Sequence, residues 1–495
     1  MSKKPDSDKF KNENCTDDMT FADCELAILR HAVDETEKVA KEKMTNTKDV
    51  KRMIEIVETF LIRTKCICYG GTAINNILPR EDQFYDRDVE IPDYDFFSPN
   101  PIVHAKELCD VFFKAGYLEV EAKSGVHLGT YKVFVNFIPM ADITEMHPEL
   151  FETLKKETIR IRGILYAPAN FLRMGMYLEL SRPAGDVSRW EKVFKRLTLL
   201  NKNYPLITPD SCQSIEFQRK MEKNKDLSET IFFNVRDVFI EQEVVFFGGY
   251  AIRLYSRYMP KSEEILVKSI PDFDVLSENP ELCATRVIDN LETQGIKASM
   301  VHHDAIGELL PEHIEIRTGN DTIAFIYKPV ACHNYNIIEF QGKEIRVATI
   351  ETILSFYLAF IYTNRPYFDK ERLLCMSKFL FDVEQKNRLE QKGLLQRFSI
   401  NCYGEQPTIQ SIRALKSEKF KELKNDHLNP DYERWFLKYN PRDKKKSVGQ
   451  TRKFTDAKPS LYFSPVTLPE TLPEKTKREK TKRTRRQKKP KEFLF

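Results

Sequence analysis

A glycine pair between an apolar run and a helical pattern is the feature that most constrains the fold, because the chain contains it twice. The copies are CYGGTAINNIL at residues 68–78 and FFGGYAIRLY at residues 246–255. Each is followed by a short apolar segment that carries two aspartates, PDYDFFS at 92–98 and PDFDVLS at 271–277. The second glycine precedes the first aspartate by 22 residues in one copy and by 23 in the other. Matched motifs at matched spacing predict two copies of one α/β module.

Hydrophobic periodicity assigns the elements around these motifs. The predicted helices are 19–43, 47–64, 167–181, 187–200 and 349–362. The predicted strands are 65–71, 92–98, 131–144, 243–249, 271–277 and 321–334. The sequence therefore predicts an α/β (α+β) fold with two tandem modules. The predicted boundaries are 1–18 (disordered), 19–60 (helical segment), 61–215 (first module), 216–440 (second module) and 441–495 (basic flexible tail).

The positive charge of the chain is concentrated in this tail. Residues 441–495 contain 18 Lys and Arg against 6 Asp and Glu, although the formal net charge of the whole chain is only +4. The preceding 440 residues therefore carry a net charge of −8. A run such as KTKREKTKRTRRQKKPK at 475–491 repels itself and cannot fold alone. Two interpretations stay open: a solvated tail or transport signal, and an arm that binds nucleic acid through counterion release.

The N-terminus and the cysteines bear on location. Residues 1–14 lack the apolar stretch of a signal peptide, and no apolar run approaches the roughly 20 residues of a membrane span. The ten cysteines are scattered without a CxxC pair. We therefore expect reduced, buried thiols in an intracellular protein, with no zinc site and no membrane partner.

The first glycine turn and the aspartates after it predict a site for phosphates and divalent metal ions. Gly70 and Gly71 would let a phosphate approach the backbone at a helix N-terminus, and Thr72 adds a hydroxyl donor. Asp93 and Asp95 are two residues apart on a predicted strand, so both side chains point to one face. Like charges in this arrangement favour a cation between them, and carboxylates suit a divalent metal.

A third carboxylate is needed to hold two metal ions, and Asp142, at the end of the next apolar strand, is the best candidate. Aligning IPMADI with KPVACH places Cys332 of the second copy against Asp142. Aligning the glycine turns places Tyr250 against Thr72. A neutral thiol is a poor ligand for a hard cation. The first module is therefore predicted to be catalytic, and the second to be degenerate and structural.

Helix 187–200 carries a basic stripe next to these candidates. Arg189, Lys192 and Arg196 are predicted to lie opposite its apolar face. This stripe would either contact phosphates or simply face solvent.

The combination of GGT, PDYDFFS and the later Asp142 resembles the nucleotidyltransferases of the polymerase-beta-like superfamily. With LSRPAGDVSRWEKVFKRLTLLNKNYP at 180–205 and a degenerate second module, the chain resembles more closely the poly(A) polymerase catalytic subunits of large cytoplasmic DNA viruses, of poxvirus and giant-virus type. The resemblance extends over about residues 20–440. It implies template-independent transfer of AMP from ATP to the 3′-hydroxyl of viral mRNA, with release of pyrophosphate.

The same resemblance implies the roles of the site residues and the partners. Asp93, Asp95 and Asp142 would bind two Mg²⁺ or Mn²⁺ ions, while Gly70, Gly71 and Thr72 would hold the phosphates of ATP. The implied partners are a single-stranded RNA 3′ end and a second copy of the chain in a homodimer. A cap-methyltransferase-type processivity subunit, as in poxviral relatives, is the alternative partner. The implied location is the host cytoplasm, in the viral factory, and the virion.

Two other functions stay open. Another nucleotidyltransferase, of the CCA-adding or oligonucleotide-second-messenger type, would share the metal site and differ in acceptor and product length. A catalytically inactive RNA-binding scaffold would bind ATP with metal but would not turn over.

Overall fold

Two eight-stranded sheets, each covered by helices, form the part of the chain that the computed structural model describes. The described residues are 15, 19–45, 47–85, 91–213, 215–219, 227–259, 270, 272–387 and 389–446. The predicted disordered N-terminus lies outside them except for Cys15, and so does the basic tail from residue 447 onward.

The first sheet is built by residues 67–166 together with one strand from the C-terminal part of the chain. Its strands are β1 (Ile67–Tyr69), β2 (Tyr94–Ser98), β3 (Val120–Ser124), β4 (Thr130–Val135), β5 (Ile138–Glu145), β6 (Ile159–Ile161), β7 (Ile164–Tyr166) and β16 (Lys438–Tyr439). They lie in the order β16-β3-β4-β5-β2-β1-β7-β6. The associated helices are α1 (Phe21–Thr45), α2 (Lys48–Thr64), α3 (Gly70–Ile77), α4 (Pro101–Lys114), α5 (Pro148–Lys155), α6 (Ala169–Leu180) and α7 (Trp190–Asn203).

The second sheet is built by residues 245–403. Its strands are β8 (Val245–Phe246), β9 (Phe273–Leu276), β10 (Ser299–His303), β11 (His313–Thr318), β12 (Asp321–Tyr327), β13 (His333–Phe340), β14 (Lys343–Ala348) and β15 (Cys402–Tyr403). They lie in the order β10-β11-β12-β9-β8-β14-β13-β15. Its helices are α8 (Ser228–Glu241), α9 (Gly249–Tyr255), α10 (Pro280–Thr293), α11 (Ile350–Phe360) and α12 (Lys370–Asn387).

The two sheets have the same topology, which confirms the predicted duplication. When β1 to β7 are equated with β8 to β14, the strand orders are identical except for the extra strands β16 and β15. In each module the aspartate-bearing strand, β2 or β9, lies between an antiparallel neighbour and a parallel one. The parallel neighbour is β5 in the first module and β12 in the second.

Helix α2 illustrates how the local sequence fixes these elements. The Thr47 hydroxyl accepts the N–H of Val50 and caps the first turn, and Lys65 ends the helix in the left-handed conformation. The helix buries one face, on which apolar side chains recur at helical spacing. These side chains are Val50, Met53, Val57, Phe60 and Leu61. None of the helices in the described ranges combines the length and apolar composition needed to cross a membrane.

The C-terminal part of the described chain packs on the first module rather than extending the second. Helices α13 (Ile409–Leu423) and α14 (Pro430–Phe436) lead into β16, which pairs antiparallel with the edge strand β3. The Arg434 carbonyl accepts the Tyr131 hydroxyl at 3.0 Å. The predicted second domain at 216–440 therefore includes a segment that lies on the first sheet. Both modules fall within a single compact unit, so the individual domain boundaries stay a prediction.

The cysteines correct the expectation of ten reduced thiols. The structure pairs Cys15 with Cys24, Cys212 with Cys375, and Cys332 with Cys402 as disulfides. The remaining cysteines are free and buried, and are Cys66, Cys68, Cys109 and Cys283. Two of the disulfides join residues 163 and 70 positions apart, a proximity that arises only in the folded chain. Cysteine spacing is therefore no argument for the location of this protein.

The two modules contact each other through helices α6 and α11. Near this contact a buried arginine forms ion pairs with two carboxylates. Arg397 bonds to Glu351 at 2.8 Å and to Glu384 at 2.9 Å, and all three side chains are largely buried. The guanidinium also lies 5.3 Å from the ring centroid of Phe194 on helix α7 of the first module. Burial raises the pKa of Glu384 to about 7, against the Arg397 charge and with the help of the Glu351 charge.

This raised pKa predicts a pH-dependent contribution to stability. A folded-state pKa of about 7 means that the native state holds a proton on Glu384 that the unfolded state has lost above about pH 4.5, so stability falls as the pH rises through this window. Glu384→Gln mimics the protonated form. We expect the variant to gain roughly 1–3 kcal/mol relative to the native chain between pH 5 and pH 8.

Chemical denaturation at several pH values measures this difference. Glu312→Gln removes a half-exposed carboxylate paired with Lys328 and serves as the control. Parallel pH profiles for the native chain and Glu384→Gln would contradict the assignment.

Candidate active site

The first glycine turn is shaped by the aspartate beside it. Gly70 has a φ of +72°, in the left-handed region that favours glycine. A Cβ atom at this position would lie only 2.4 Å from Oδ2 of Asp95. Two features therefore favour glycine at this position: the backbone turn itself and the close approach of a carboxylate.

Two of the three predicted aspartates are neighbours across a parallel strand pair. Asp95 on β2 is in register with Asp142 on β5, so the two side chains share one face of the sheet. Asp93 comes just before β2 and is exposed. One oxygen of Asp142, Oδ1, is buried without a hydrogen-bond partner among the described residues, and the other pairs with the Lys132 ammonium group.

The charges of these groups act on one another. Burial raises the pKa of Asp95 to about 7, and the Asp93 and Asp142 charges add to this effect. Partial desolvation and the Asp142 charge also raise the pKa of Asp93. The positive charge of Lys132 opposes both shifts. The three aspartates thus form one electrostatic cluster in which a cation is needed to keep all of them ionised.

This cluster fits a divalent metal ion in its chemistry but not in its present arrangement. Carboxylate oxygens are the ligands that Mg²⁺ and Mn²⁺ prefer, and the unpartnered Asp142 Oδ1 is a free ligand atom. Nevertheless, no three His, Cys, Asp or Glu side chains of the described ranges already stand in a group that could hold a metal ion. The Lys132 ammonium takes the other Asp142 oxygen, so metal binding requires a side chain to move.

Thr72 has a different contact from the one that its sequence position suggests. It is buried, and its hydroxyl donates to the Asp93 carbonyl oxygen at 2.7 Å. It thereby ties the start of helix α3 to the segment that carries Asp93. A role for Thr72 in holding phosphates stays a prediction.

Arg196 is a candidate that sequence reasoning placed on the wrong face of its helix. It is buried with Val193, Leu197 and Leu200, whereas Lys192 is exposed. The spacing of 193, 196, 197 and 200 is itself a helical face, and this pattern could have been read from the sequence. Arg189 instead pairs with Glu179 at 3.1 Å.

The buried guanidinium of Arg196 lies beside the glycine turn. A Cβ atom on Gly71 would lie 2.9 Å from Nη1 of Arg196 and 2.5 Å from the Tyr85 hydroxyl. Arg196 donates from Nη2 to this hydroxyl at 2.5 Å, and its guanidinium is 4.8 Å from the Phe84 ring centroid. A fixed positive charge is therefore held where the sequence predicts phosphate groups.

The second module keeps the geometry of this site but replaces its chemistry. Asp274 on β9 is in register with Phe325 on β12, so Phe325 occupies the position equivalent to Asp142. The predicted equivalence of Cys332 with Asp142 is wrong, because Cys332 follows β12 and forms a disulfide with Cys402. At this register position the second module has a phenylalanine instead of a carboxylate.

An arginine occupies the space between the remaining aspartates of the second module. Arg219 forms ion pairs with Asp272 and, at 3.0 Å, with Asp274. Its guanidinium also lies 4.6 Å from the Phe325 ring centroid. Burial acts to raise the pKa of Asp272, yet the Arg219 charge holds it below its ordinary value. A buried protein cation thus lies against both carboxylates of this pair.

The family model that matches this chain lies within the first module. Residues 55–186 match the family model described as "Poly(A) polymerase catalytic subunit". A protein of African swine fever virus (isolate Tick/Malawi/Lil 20-1/1983), named "Putative poly(A) polymerase catalytic subunit", is 31% identical over 174 residues, which cover 34% of this chain and 36% of that protein. A protein of the same name from Acanthamoeba polyphaga mimivirus is 32% identical over 214 residues, covering 42% and 35%. The chain thus spans about a third of the length of these curated relatives.

The fold itself is similar over nearly the whole chain. The crystal structure of the Megavirus polyadenylate synthase aligns with a TM-score of 0.73 and 21% identity, covering 89% of this chain and 90% of that one. The predicted fold class is therefore confirmed. Residues 55–186 are thereby identified as the segment of this chain that matches the poly(A) polymerase catalytic subunit model.

Proposed function

We propose that this chain is a template-independent poly(A) polymerase that transfers AMP from ATP to the 3′-hydroxyl of a single-stranded RNA and releases pyrophosphate. The observation that carries the proposal is the Asp95–Asp142 pair on adjacent parallel strands, beside the Gly70 turn. The buried and unpartnered Oδ1 of Asp142 supports a metal-binding role, because such an oxygen is costly to bury unless a ligand completes it. The family match of residues 55–186 supports the choice of reaction.

The aspartates and the glycine turn take different parts in this reaction. Two Mg²⁺ or Mn²⁺ ions held by Asp93, Asp95 and Asp142 would supply the positive charge that a triphosphate and an ionising 3′-hydroxyl need. Gly70 and Gly71 leave the backbone open to the phosphates, and Arg196 beside them adds a fixed guanidinium. The 3′-hydroxyl gives its proton to Asp142 as its oxygen attacks the α-phosphorus, the bond from this phosphorus to the oxygen that bridges to the β-phosphate breaks, and pyrophosphate leaves. We assign Asp142 to the side of the attacking hydroxyl.

The second module, in this proposal, has a structural role. Its Arg219 fills the position at which a metal would have to bind, and Phe325 removes the third ligand. The partners that we propose are the RNA 3′ end and ATP, with a second copy of the chain or a methyltransferase-type subunit as the protein partner. We place the reaction in the cytoplasm of the infected host cell.

Primer extension with Asp142→Asn tests the proposed reaction. Asparagine keeps the shape of the side chain but removes the charge, which we take to be worth roughly 4 kcal/mol in the transition state. We expect the rate to fall on the order of a thousandfold. The assay uses purified chain, a short single-stranded RNA, each nucleoside triphosphate separately, and Mg²⁺ or Mn²⁺. Asp289→Asn, on the exposed face of helix α10, is the control.

A long ladder with ATP alone that disappears in Asp142→Asn would support the proposal. A short product of fixed length would instead favour the CCA-adding or second-messenger type of nucleotidyltransferase. Metal-dependent ATP binding without any extension would favour the scaffold.

Replacement of Arg219 tests the structural role of the second module. Arg219→Met leaves two buried carboxylates without their ion-pair partner, so we expect a loss of roughly 3–5 kcal/mol in the free energy of unfolding. Chemical denaturation measures this loss. Lys328→Met breaks the partly exposed pair with Glu312 and should cost no more than about 1 kcal/mol.

Adding Asp274→Asn to Arg219→Met should recover part of the lost stability, because it removes one of the uncompensated charges. An Arg219→Met chain as stable as the native one would show that this cation is not needed.

A further inference from the structure

The cation next to the aspartates of the first module is attached differently from the one in the second. Lys132 on β4 is in register with Asp142 on β5, and its ammonium pairs with Oδ2 of Asp142. The lysine side chain is 39% exposed, whereas that of Arg219 is 15% exposed. Lys132 therefore has solvent into which it can turn.

The contacts of the two cations explain why one can leave and the other cannot. Arg219 bonds to two carboxylates through its planar group and packs on the Phe325 ring. Among the residues that the structure describes, Lys132 pairs with one carboxylate, that of Asp142, and it carries a single point charge on a flexible stem. Its charge nevertheless also acts on Asp93 and Asp95. Lys132 therefore neutralises the cluster without being fixed to it.

We propose that Lys132 is a displaceable counter-ion of the first module, which holds Asp142 while no metal is bound and releases it to a divalent metal ion. Lys132 is thus a positioning residue that sets the metal affinity of the site. The inference rests on the metal site of the proposed function. It adds that metal binding is an exchange of one cation for another.

The exchange predicts an order of affinities among Lys132 variants. Lys132→Met and the polar, neutral Lys132→Gln remove the competitor, so divalent metal should bind at least about tenfold tighter. Lys132→Arg supplies a planar fork that can hold Asp142 through two hydrogen bonds, as Arg219 does with its aspartates, so metal should bind at least about tenfold more weakly. The expected order of affinity is Met and Gln above Lys, and Lys above Arg.

Titration with Mn²⁺, followed by the electron paramagnetic resonance signal of the free ion, measures these affinities on the full chain without nucleotide or RNA. Asp142→Asn defines which part of the binding belongs to this site. Lys123→Met is the matched control, because Lys123 lies directly across from Lys132 on strand β3 and pairs with Glu121 instead. We expect the control to bind Mn²⁺ as the native chain does.

Thermal unfolding gives a second reading that does not depend on activity. Lys132→Met should unfold at a lower temperature than the native chain in EDTA, because Asp142 loses its partner. It should gain more from added Mn²⁺, because the tighter site stabilises the folded state further. If Lys132→Met does not fold, the same measurements on Lys132→Gln and Lys132→Arg test the proposal.

Equal Mn²⁺ affinity in the native chain, Lys132→Gln and Lys132→Arg would overturn the inference while leaving the metal site of the proposed function intact. Weaker binding in Lys132→Met and Lys132→Gln would also overturn it, because Lys132 would then support the metal rather than compete with it. Native binding that is unaffected by Asp142→Asn would overturn both the inference and the metal site.

Discussion

The repulsion between carboxylates on adjacent parallel strands is the constraint on which the functional part of this structure depends. The register of β2 with β5 places Asp95 next to Asp142, and Asp93 lies one residue before β2. Burial makes the resulting charge costly, as the pKa of about 7 for Asp95 indicates. Such a cluster stays fully ionised in a folded protein only if a cation accompanies it. Which cation does so, and how firmly it is held, separates the two modules.

The duplicated topology provides an internal comparison of this constraint. Both modules turn sharply at glycines that lie against an aspartate: a Cβ on Gly70 would contact Asp95, and one on Gly249 would contact Asp272. The close approach of backbone to carboxylate therefore survives in a module with no third aspartate. It follows that the glycine pair alone is not evidence of catalysis, because the packing of the aspartate strand requires it as well. The two modules differ at the equivalent position on the neighbouring strand, which is Asp142 in the first and Phe325 in the second.

The sequence predicted local features of the fold and the site better than those that depend on long-range packing. Helix α2 and both glycine turns follow from periodicity and short motifs. Strand alternation applies only to Asp95, because Asp93 lies one residue before β2. The equivalence of Cys332 with Asp142 was wrong because a short motif match cannot fix the pairing of strands, which only the β9–β12 register reveals. The Arg219 ion pairs could not be predicted, since a segment between the modules brings this side chain to the aspartates.

Another long-range feature is the set of contacts that support β4 and β5, the strands that carry Lys132 and Asp142. Strand β4 carries Lys132, and the adjacent Tyr131 donates its hydroxyl to the Arg434 carbonyl oxygen, while Arg434 pairs with Glu145 at the end of β5 at 3.0 Å. Residues more than 280 positions apart in sequence thereby hold the two strands that present Lys132 and Asp142. An exchange between Lys132 and a metal requires the strands to stay in place while one side chain moves. The contacts of Tyr131 and Glu145 with Arg434 would keep the strands in place during this exchange. The segment that returns to the first sheet therefore supports the strands of the proposed site, although the sequence order places it after the second module.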